Sequence, residues 1–267
     1  MTAGRTLMPL AIEAVARAAK VVREARPGAL TFKGDRDMAS EVDYQVEREM
    51  RKLLSERAPA IGFMGEEDGM TGSADTLWTL DPVDGTANFV RGIPLCAISL
   101  ALVIDRQPVL AVISLPFLQE TYTAERGGGA FEGNRRLKCS GTSDLIDAIV
   151  SIGDYAVGDR ASEKNRLRFA LTEELAGTVQ RVRMLGTAAI DLAWVASGRL
   201  DASIMISNKP WETAAGTLVA REAGATVVDD DGSPHSLESK ATIAVTPQLL
   251  PGILAILSDA SRDAGET

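Results

Sequence analysis

The chain has 267 residues, of which 45% are apolar and only 4% aromatic, and its formal net charge is −9. That length suffices for one large domain or two modest subdomains, with a core built on Val, Ile, Leu, Ala and Met. The acidic balance argues against sequence-independent binding to nucleic acid or to an anionic membrane. It leaves room for a phosphorylated substrate, because bound cations reverse the sign of a site locally.

In chain order, residues 9–26 place Leu10, Ala14, Val15, Ala18 and Val22 at helical spacing, and Pro27-Gly28 ends the run. Thr31 to Ala39 carries Lys33, Asp35, Arg36 and Asp37 and reads as a polar loop or hairpin. Ser40 is an N-cap for a second amphipathic helix over 41–57, with Val42, Val46, Met50, Leu53 and Leu54 on one stripe. Thr76 to Leu80 is a short strand running into Asp81-Pro82. Apolar runs at 96–104 and 108–114 predict a buried hairpin, and a further strand pair flanks Gly127-Gly128-Gly129.

The second half alternates: helix 163–176, strand 178–184, helix 187–197, strand 200–206, then a helix opened by Pro210 and closed by Gly224. Strands at 225–229 and 240–245 and a helix over 248–261 complete the chain. The sum is a layered α/β sandwich. A soft boundary near residue 145 divides an N-terminal α+β part, 1–145, from a C-terminal α/β part, 146–267, the two forming one catalytic unit.

Cys96 and Cys139 are the only cysteines, without C-x-x-C spacing, so neither a disulfide framework nor a zinc site is expected, and a reducing cytoplasm fits. Leu7 to Val22 is interrupted by Glu13, Arg17 and Lys20 and lacks the apolar core of a signal peptide. No apolar run approaches the roughly 20 residues that span a bilayer.

Three acidic motifs carry the candidate chemistry. They are Gly65-Glu66-Glu67-Asp68-Gly69, Asp81-Pro82-Val83-Asp84-Gly85-Thr86-Ala87-Asn88-Phe89, and Trp211-Glu212-Thr213-Ala214-Ala215-Gly216. Alone, the first reads as a solvated turn, and Glu212 as a carboxylate complementing a helix dipole, worth about 0.3–1 kcal/mol. The second sits at the end of an apolar strand, where α/β sheets gather ligand-binding residues. Two carboxylates about 4 Å apart repel by roughly 4 kcal/mol at an effective dielectric near 20, so a fold that keeps them close needs protons or cations there. Oxygen ligands without His or Cys point to Mg²⁺.

In this order and spacing the motifs resemble those of the inositol monophosphatase family, within the magnesium-dependent, lithium-sensitive phosphatases, over a stretch from Lys33 to Gly232. Lys33 and Asp43 match a lysine and an aspartate that the family carries near its site, and Gly186-Thr187-Ala188-Ala189 matches a loop that contacts substrate. The resemblance implies an αβαβα sandwich, a homodimer, and two or three Mg²⁺ per site. It implies that Glu66, Asp81 and the Val83 carbonyl bind one Mg²⁺, and that Asp81, Asp84 and Glu212 bind a second. Glu66 and Thr86 would activate the attacking water. Asp84, Gly85, Thr86, Gly186, Thr187, Ala188 and Glu212 would hold phosphate and substrate.

The implied substrate is inositol monophosphate or a related small sugar or polyol phosphate. Same-family alternatives are histidinol phosphate, fructose 1,6-bisphosphate and 3′-phosphoadenosine 5′-phosphate; a non-catalytic regulator on the same fold is another. The residues agree with a phosphatase independently. Two Mg²⁺ would neutralise the charges of Glu66, Asp81, Asp84 and Glu212, polarise phosphoryl oxygens and lower the pKa of bound water. The N–H groups opening helix 187–197 suit an anion. The one histidine, His235, stands in a turn beside Pro234 and receives no catalytic role.

Two departures from the family pattern stand out. The family's third motif reads Trp-Asp where this chain has Trp211-Glu212, a reach longer by about 1.5 Å, one C–C bond. Members acting on inositol phosphates carry a glutamate seven residues before that carboxylate, where this chain has Met205.

Overall fold

The computed structural model describes residues 3–34 and 37–265. The first half opens with helix α1 (Ala3–Glu24), the antiparallel pair β1 (Leu30–Gly34) and β2 (Asp37–Ser40), and helix α2 (Glu41–Arg57). Strands β3 (Gly62–Gly65), β4 (Gly69–Thr71) and β5 (Thr76–Asp84) follow, then the short helix α3 (Thr86–Val90). The half closes with β6 (Ala97–Ile104), β7 (Gln107–Leu115), β8 (Glu120–Glu125), β9 (Gly129–Glu132) and β10 (Arg135–Arg136). Strands β3 to β10 form one eight-stranded sheet in the order β10-β9-β8-β7-β6-β5-β3-β4, antiparallel except for the β3–β5 pair.

The second half runs β11 (Ile149–Ile152), α4 (Ala161–Thr178), β12 (Arg181–Arg183), α5 (Ala188–Ala196), β13 (Ala202–Met205) and α6 (Pro210–Glu222). It ends with β14 (Thr226–Val228), β15 (Thr242–Val245) and α7 (Leu250–Asp263). Its five-stranded sheet has the order β12-β11-β13-β15-β14, with β12, β11 and β13 mutually parallel.

Side-chain alternation along the strands stacks these elements into five layers. Ile98, Leu100, Leu102, Leu110 and Val112 of the large sheet pack on Val15, Val22, Val46 and Met50 of α1 and α2. The opposite face presents Ala97, Ala101, Ala111 and Ala124, and against it lie Ala189, Ala193, Ala214 and Ala215 of α5 and α6. Beneath those helices, Leu192, Val195 and Ala220 meet Met205, Val227 and Ala244 of the small sheet. Leu171, Leu175, Ile253 and Leu257 of α4 and α7 cover its far side. The expected αβαβα sandwich is thus present, and small residues rather than aromatics set its middle spacing. Both sheets are covered on both faces, which is why their central strands read as continuous apolar runs. Among the described residues no helix is long and apolar enough to cross a membrane.

The α5–α6 contact is the tightest point of the middle layer. A methyl group on Gly216 would lie 2.4 Å from Leu192 Cδ1 and 2.6 Å from its Cβ. Gly216→Ala should therefore lower the midpoint of chemical unfolding by an amount corresponding to about 1–3 kcal/mol of overpacking. It should also raise the divalent-cation concentration needed for activity, because α5 and α6 carry Thr187 and Glu212 at their openings. An unchanged midpoint would show that the layer has slack.

Candidate active site

The site begins where two neighbouring strands end. Parallel pairing puts Gly65 opposite Leu80, and the Glu66 N–H donates to the Leu80 carbonyl at 3.3 Å, so Glu66 stands beside Asp81. A regular pleat would turn residues 81 and 84 to opposite faces. Instead the β5–β6 register breaks between Asp81, opposite Ser99, and Asp84, opposite Ala97. Pro82, which has no N–H for a ladder, sits in that bulge, and both carboxylates come to serve one site. Asp81 is 2% exposed and Asp84 7%.

Each carboxylate is held by its own partners. Asp81 Oδ1 accepts the Val83 N–H at 3.1 Å. Asp84 Oδ2 accepts the Thr187 hydroxyl at 2.7 Å and the Ala189 N–H at 2.6 Å, both at the opening of α5. Glu212, in the first turn of α6, accepts the Lys209 N–H at 2.7 Å. Lys33 Nζ bridges Glu66 Oε1 at 2.8 Å and Glu67 Oε1 at 2.6 Å.

Thr86 follows Gly85, whose φ of +90° favours glycine and whose added Cβ would come within 2.9 Å of the Leu95 carbonyl. The Thr86 hydroxyl lies 2.9 Å from Asp43 Oδ1 and 3.0 Å from the Val83 carbonyl, both acceptors for its proton. Asp43 is fixed in turn, its Oδ2 accepting the backbone N–H of Ser40 at 2.9 Å in the capping box that starts α2.

Burial raises the pKa of Asp81 well above the usual aspartate value, and the charges of Glu66, Asp84, Glu212 and Asp43 add to it. Burial pushes Asp84 up to about 6 against the hydrogen bonds from Thr187 and Ala189. Glu212 is pushed up to about 7 by burial and then by the charge of Asp84. Glu67 also reaches about 7 through burial, with Lys33 opposing. For Lys33, burial disfavours the cation, but the two glutamates outweigh it and hold the ammonium above its ordinary pKa.

The sequence-predicted residues therefore converge from both sheets. Asp84, Gly186, Thr187, Ala188, Met205 and Glu212 line one cavity of about 160 Å³. Glu66, Asp81, Asp43 and Thr86 adjoin it through the contacts above. The oxygen-only donor set and the mutual repulsion recorded by Asp81 both fit a hard cation such as Mg²⁺. Among the described residues, however, no three His, Cys, Asp or Glu side chains stand as a ready cage. Glu66 meets Lys33 through Oε1, Glu212 caps a helix through Oε2 and Asp84 meets α5 through Oδ2, so each carboxylate has one oxygen in an internal bond.

Three features escaped the sequence reading. Buried Glu47 accepts the N–H groups of Glu67 and Asp68 at 2.8 and 3.0 Å and holds the turn after β3, itself paired with Arg51 at 2.6 Å. Asn88 ties the two halves by donating to the carbonyls of Leu95 and Leu185, each at 2.8 Å. Asp191 lines the cavity at 2% exposure, and its one signal was a carboxylate inside the apolar stretch Ala188-Ala189-Ile190-Asp191-Leu192-Ala193. The α5 opening, expected to suit an anion, is already engaged by Asp84. His235 is buried, 2.8 Å from the Thr242 hydroxyl, and burial lowers its pKa to about 4.

Asp84, Glu67 and Glu212 have native pKa values of about 6, 7 and 7, above those of unfolded carboxylates. The native state then holds more protons, and the stability these groups contribute is fully present below the unfolded values and lost as pH rises through about 7. In chelator the protein should melt lower at pH 8 than at pH 6.5, by about 1 kcal/mol in stability. His235 acts in the opposite direction, mainly below pH 6.5. Saturating Mg²⁺ should remove the difference, and Glu212→Gln should reduce it. Equal melting at the two pH values in chelator would mean that the carboxylates are already compensated.

The family model for the inositol monophosphatase family matches residues 5–262. Over 220 residues the chain is 40% identical to an inositol-1-monophosphatase of Mesorhizobium japonicum, covering 80% of each protein. Over 227 residues it is 35% identical to inositol-1-monophosphatase ImpA of Mycolicibacterium smegmatis, covering 85% of this chain and 82% of the relative. The solved structure of an IMPase from Thermotoga maritima superposes with a TM-score of 0.88 at 29% identity, covering 96% of this chain and 98% of the other. By motif, fold and sequence, the chain belongs to the inositol monophosphatase family.

Proposed function

We propose that this protein is a Mg²⁺-dependent phosphomonoesterase acting on inositol monophosphate or a related small sugar or polyol phosphate. The observation that carries the reading is the convergence of buried Asp81 and Asp84 with the part-exposed Glu66 and Glu212, beside a threonine backed by an aspartate. In this reading Glu66, Asp81, Asp84, Glu212 and the Val83 carbonyl hold two or three Mg²⁺. When bound, they offset the charge of the phosphate and lower the pKa of water.

The chain's own residues do the positioning. With its proton directed to Asp43 or the Val83 carbonyl, the Thr86 oxygen presents a lone pair that accepts from the attacking water. Glu66 accepts the water's other proton. Water adds to phosphorus as it gives a proton to Glu66, the P–O bond to the alcohol breaks, and the leaving alkoxide takes up a proton from solvent while Glu66 returns its proton to solvent, giving alcohol and inorganic phosphate. Gly85, Gly186, Thr187 and Ala188 shape the phosphate end of the cavity. Both cysteines are free and buried, in keeping with a reducing cytoplasm. The homodimer, and the division at residue 145, rest on the family resemblance and on the two-sheet architecture respectively.

The activity is measured as phosphate released from inositol 1-phosphate and glycerol 2-phosphate. It should require Mg²⁺ and stop in chelator; full turnover after exhaustive chelation would rule out the metal reading. Asp84→Asn should lower turnover by about 100-fold or more, since even residues that only orient metal ligands are worth about 10–100-fold. Thr86→Ala should cost less.

Glu212→Asp is expected to lower the Mg²⁺ concentration for half-maximal rate, because the shorter carboxylate matches the family geometry. An unchanged or higher requirement would show that the α6 backbone is already adapted to glutamate.

A further inference from the structure

The cavity holding Asp84 and Glu212 adjoins a larger one of about 790 Å³, and Gly153, Asp154 and Ser207 line both. The topology explains the junction. From β11 the chain passes through α4 to β12 on one side, then through α5 to β13 on the other, all three strands parallel. In parallel α/β sheets such a divergence leaves a crevice outside the carboxyl ends of the strands. β11 ends at Ile152 and β13 at Met205, so the shared residues lie just beyond the two strand ends.

Four carboxylates line the smaller cavity, those of Asp84, Asp154, Asp191 and Glu212. Asp84 docks on the opening of α5 and Glu212 caps α6, each through one oxygen. Asp191 is buried. Asp154 differs from all three. It is exposed, and its side chain makes no hydrogen bond or ion pair to another described residue. A Cβ placed on Gly186 would lie 3.5 Å from Asp154 Oδ2, so the carboxylate stands against the loop Gly186-Thr187-Ala188, and glycine leaves it uncovered on that side. Its neighbour across the strand ends is Met205, whose Cα would lie 3.8 Å from a Cβ on Gly153 and whose thioether is only a weak acceptor.

Beyond Asp154 the lining carries both signs of charge. Lys164 and Arg168, one helical turn apart on α4, line the larger cavity together with Asp154. A substituent of either single charge would meet a like charge there, and like-charge juxtaposition is costly. Hydroxyl groups meet no such conflict, because they donate to a carboxylate and accept from ammonium or guanidinium groups. An ionised carboxylate also has acceptor sites enough for two neighbouring hydroxyls.

Building on the phosphatase reading, we infer that Asp154 is the specificity-determining residue for the leaving alcohol. Its carboxylate accepts hydrogen bonds from hydroxyls of the polyol where the smaller cavity meets the larger.

Inositol 1-phosphate and cyclohexyl phosphate are both secondary esters on a six-membered ring and differ in the ring hydroxyls. The test uses both with the intact protein, Mg²⁺ and released phosphate as readout. In Asp154→Ala the ratio of kcat/KM, polyol over plain ring, should fall by about 10–100-fold, the scale of a hydrogen bond to a charged group. The fall should be carried mainly by KM for inositol 1-phosphate. A second pair, 2-hydroxyethyl and 2-aminoethyl phosphate, separates hydroxyl from ammonium recognition, and the unmodified protein should favour the hydroxyl ester.

An unchanged ratio, a loss shared equally by cyclohexyl phosphate, or a preference for the aminoethyl ester that disappears in Asp154→Ala overturns the assignment while leaving the phosphatase intact. Hydrolysis of none of the esters by the unmodified protein would instead overturn the phosphatase reading. Calorimetric titration with inositol 1-phosphate in Mg²⁺ would then decide the role of Asp154. Affinity lowered about 10-fold or more in Asp154→Ala supports it; equal affinity in the two proteins, or no binding, overturns it.

Discussion

The contact on which the rest depends is the Asp84 carboxylate docked on the opening of α5. One oxygen, Oδ2, receives both the Thr187 hydroxyl and the Ala189 N–H, residues more than a hundred positions away in the chain. A negative charge at a helix N-terminus is favoured by the helix dipole and by hydrogen bonds that strengthen when the acceptor is ionised. Burial opposes that ionisation, and the resulting value of about 6 is the balance of the two. The same contact fixes the loop Gly186-Thr187-Ala188 against the end of β5, so the large sheet and the small sheet share one site. Asn88 reinforces the joint by bonding one carbonyl on each side of it.

The acidic cluster is kept together by interleaved positive and polar groups. Lys33 stands between Glu66 and Glu67, Arg51 beside Glu47, and the N–H groups of Glu67 and Asp68 point at Glu47. Half-exposed ion pairs add little stability in general. Here the Glu67 side chain is only 1% exposed, so its charge depends on Lys33. Lys33 acts as an internal cation between the two glutamates.

The central motif was legible because its chemistry is local: two aspartates around a proline at the end of an apolar strand need no distant partner to look unusual. A layered α/β sandwich was legible from the apolar runs and helical patterns, and its αβαβα layer order from the family resemblance. Less visible was β3, whose four residues, Gly62-Phe63-Met64-Gly65, include two glycines and no alternation, although its parallel pairing with β5 is what delivers Glu66. Helix α4 runs on to Thr178 and leaves β12 only Arg181–Arg183, shorter than the strand expected over 178–184. Glu47 and Asp191 were hidden for a common reason. An acid on a helix is ordinarily solvated, and only tertiary packing turns these two inward.

The two departures from the family pattern have a structural setting in common, the segment from the end of β13 to the first turn of α6. Lys209 at the N-cap makes no side-chain cap bond to the first turn, and Pro210 removes one of the unpaired N–H groups that open a helix. Glu212 closes the Lys209 N–H from the third helical position, the place where a capping glutamate has the right reach. In α2 the same position is Asp43, which manages the bond beside a serine cap that also bonds the first turn. Glu212 thus has a helix-capping role of its own, one that Asp43 shows an aspartate can also fill. That cap uses only Oε2 of Glu212, and it sets the opening of α6 on one wall of the cavity that Asp84 also lines.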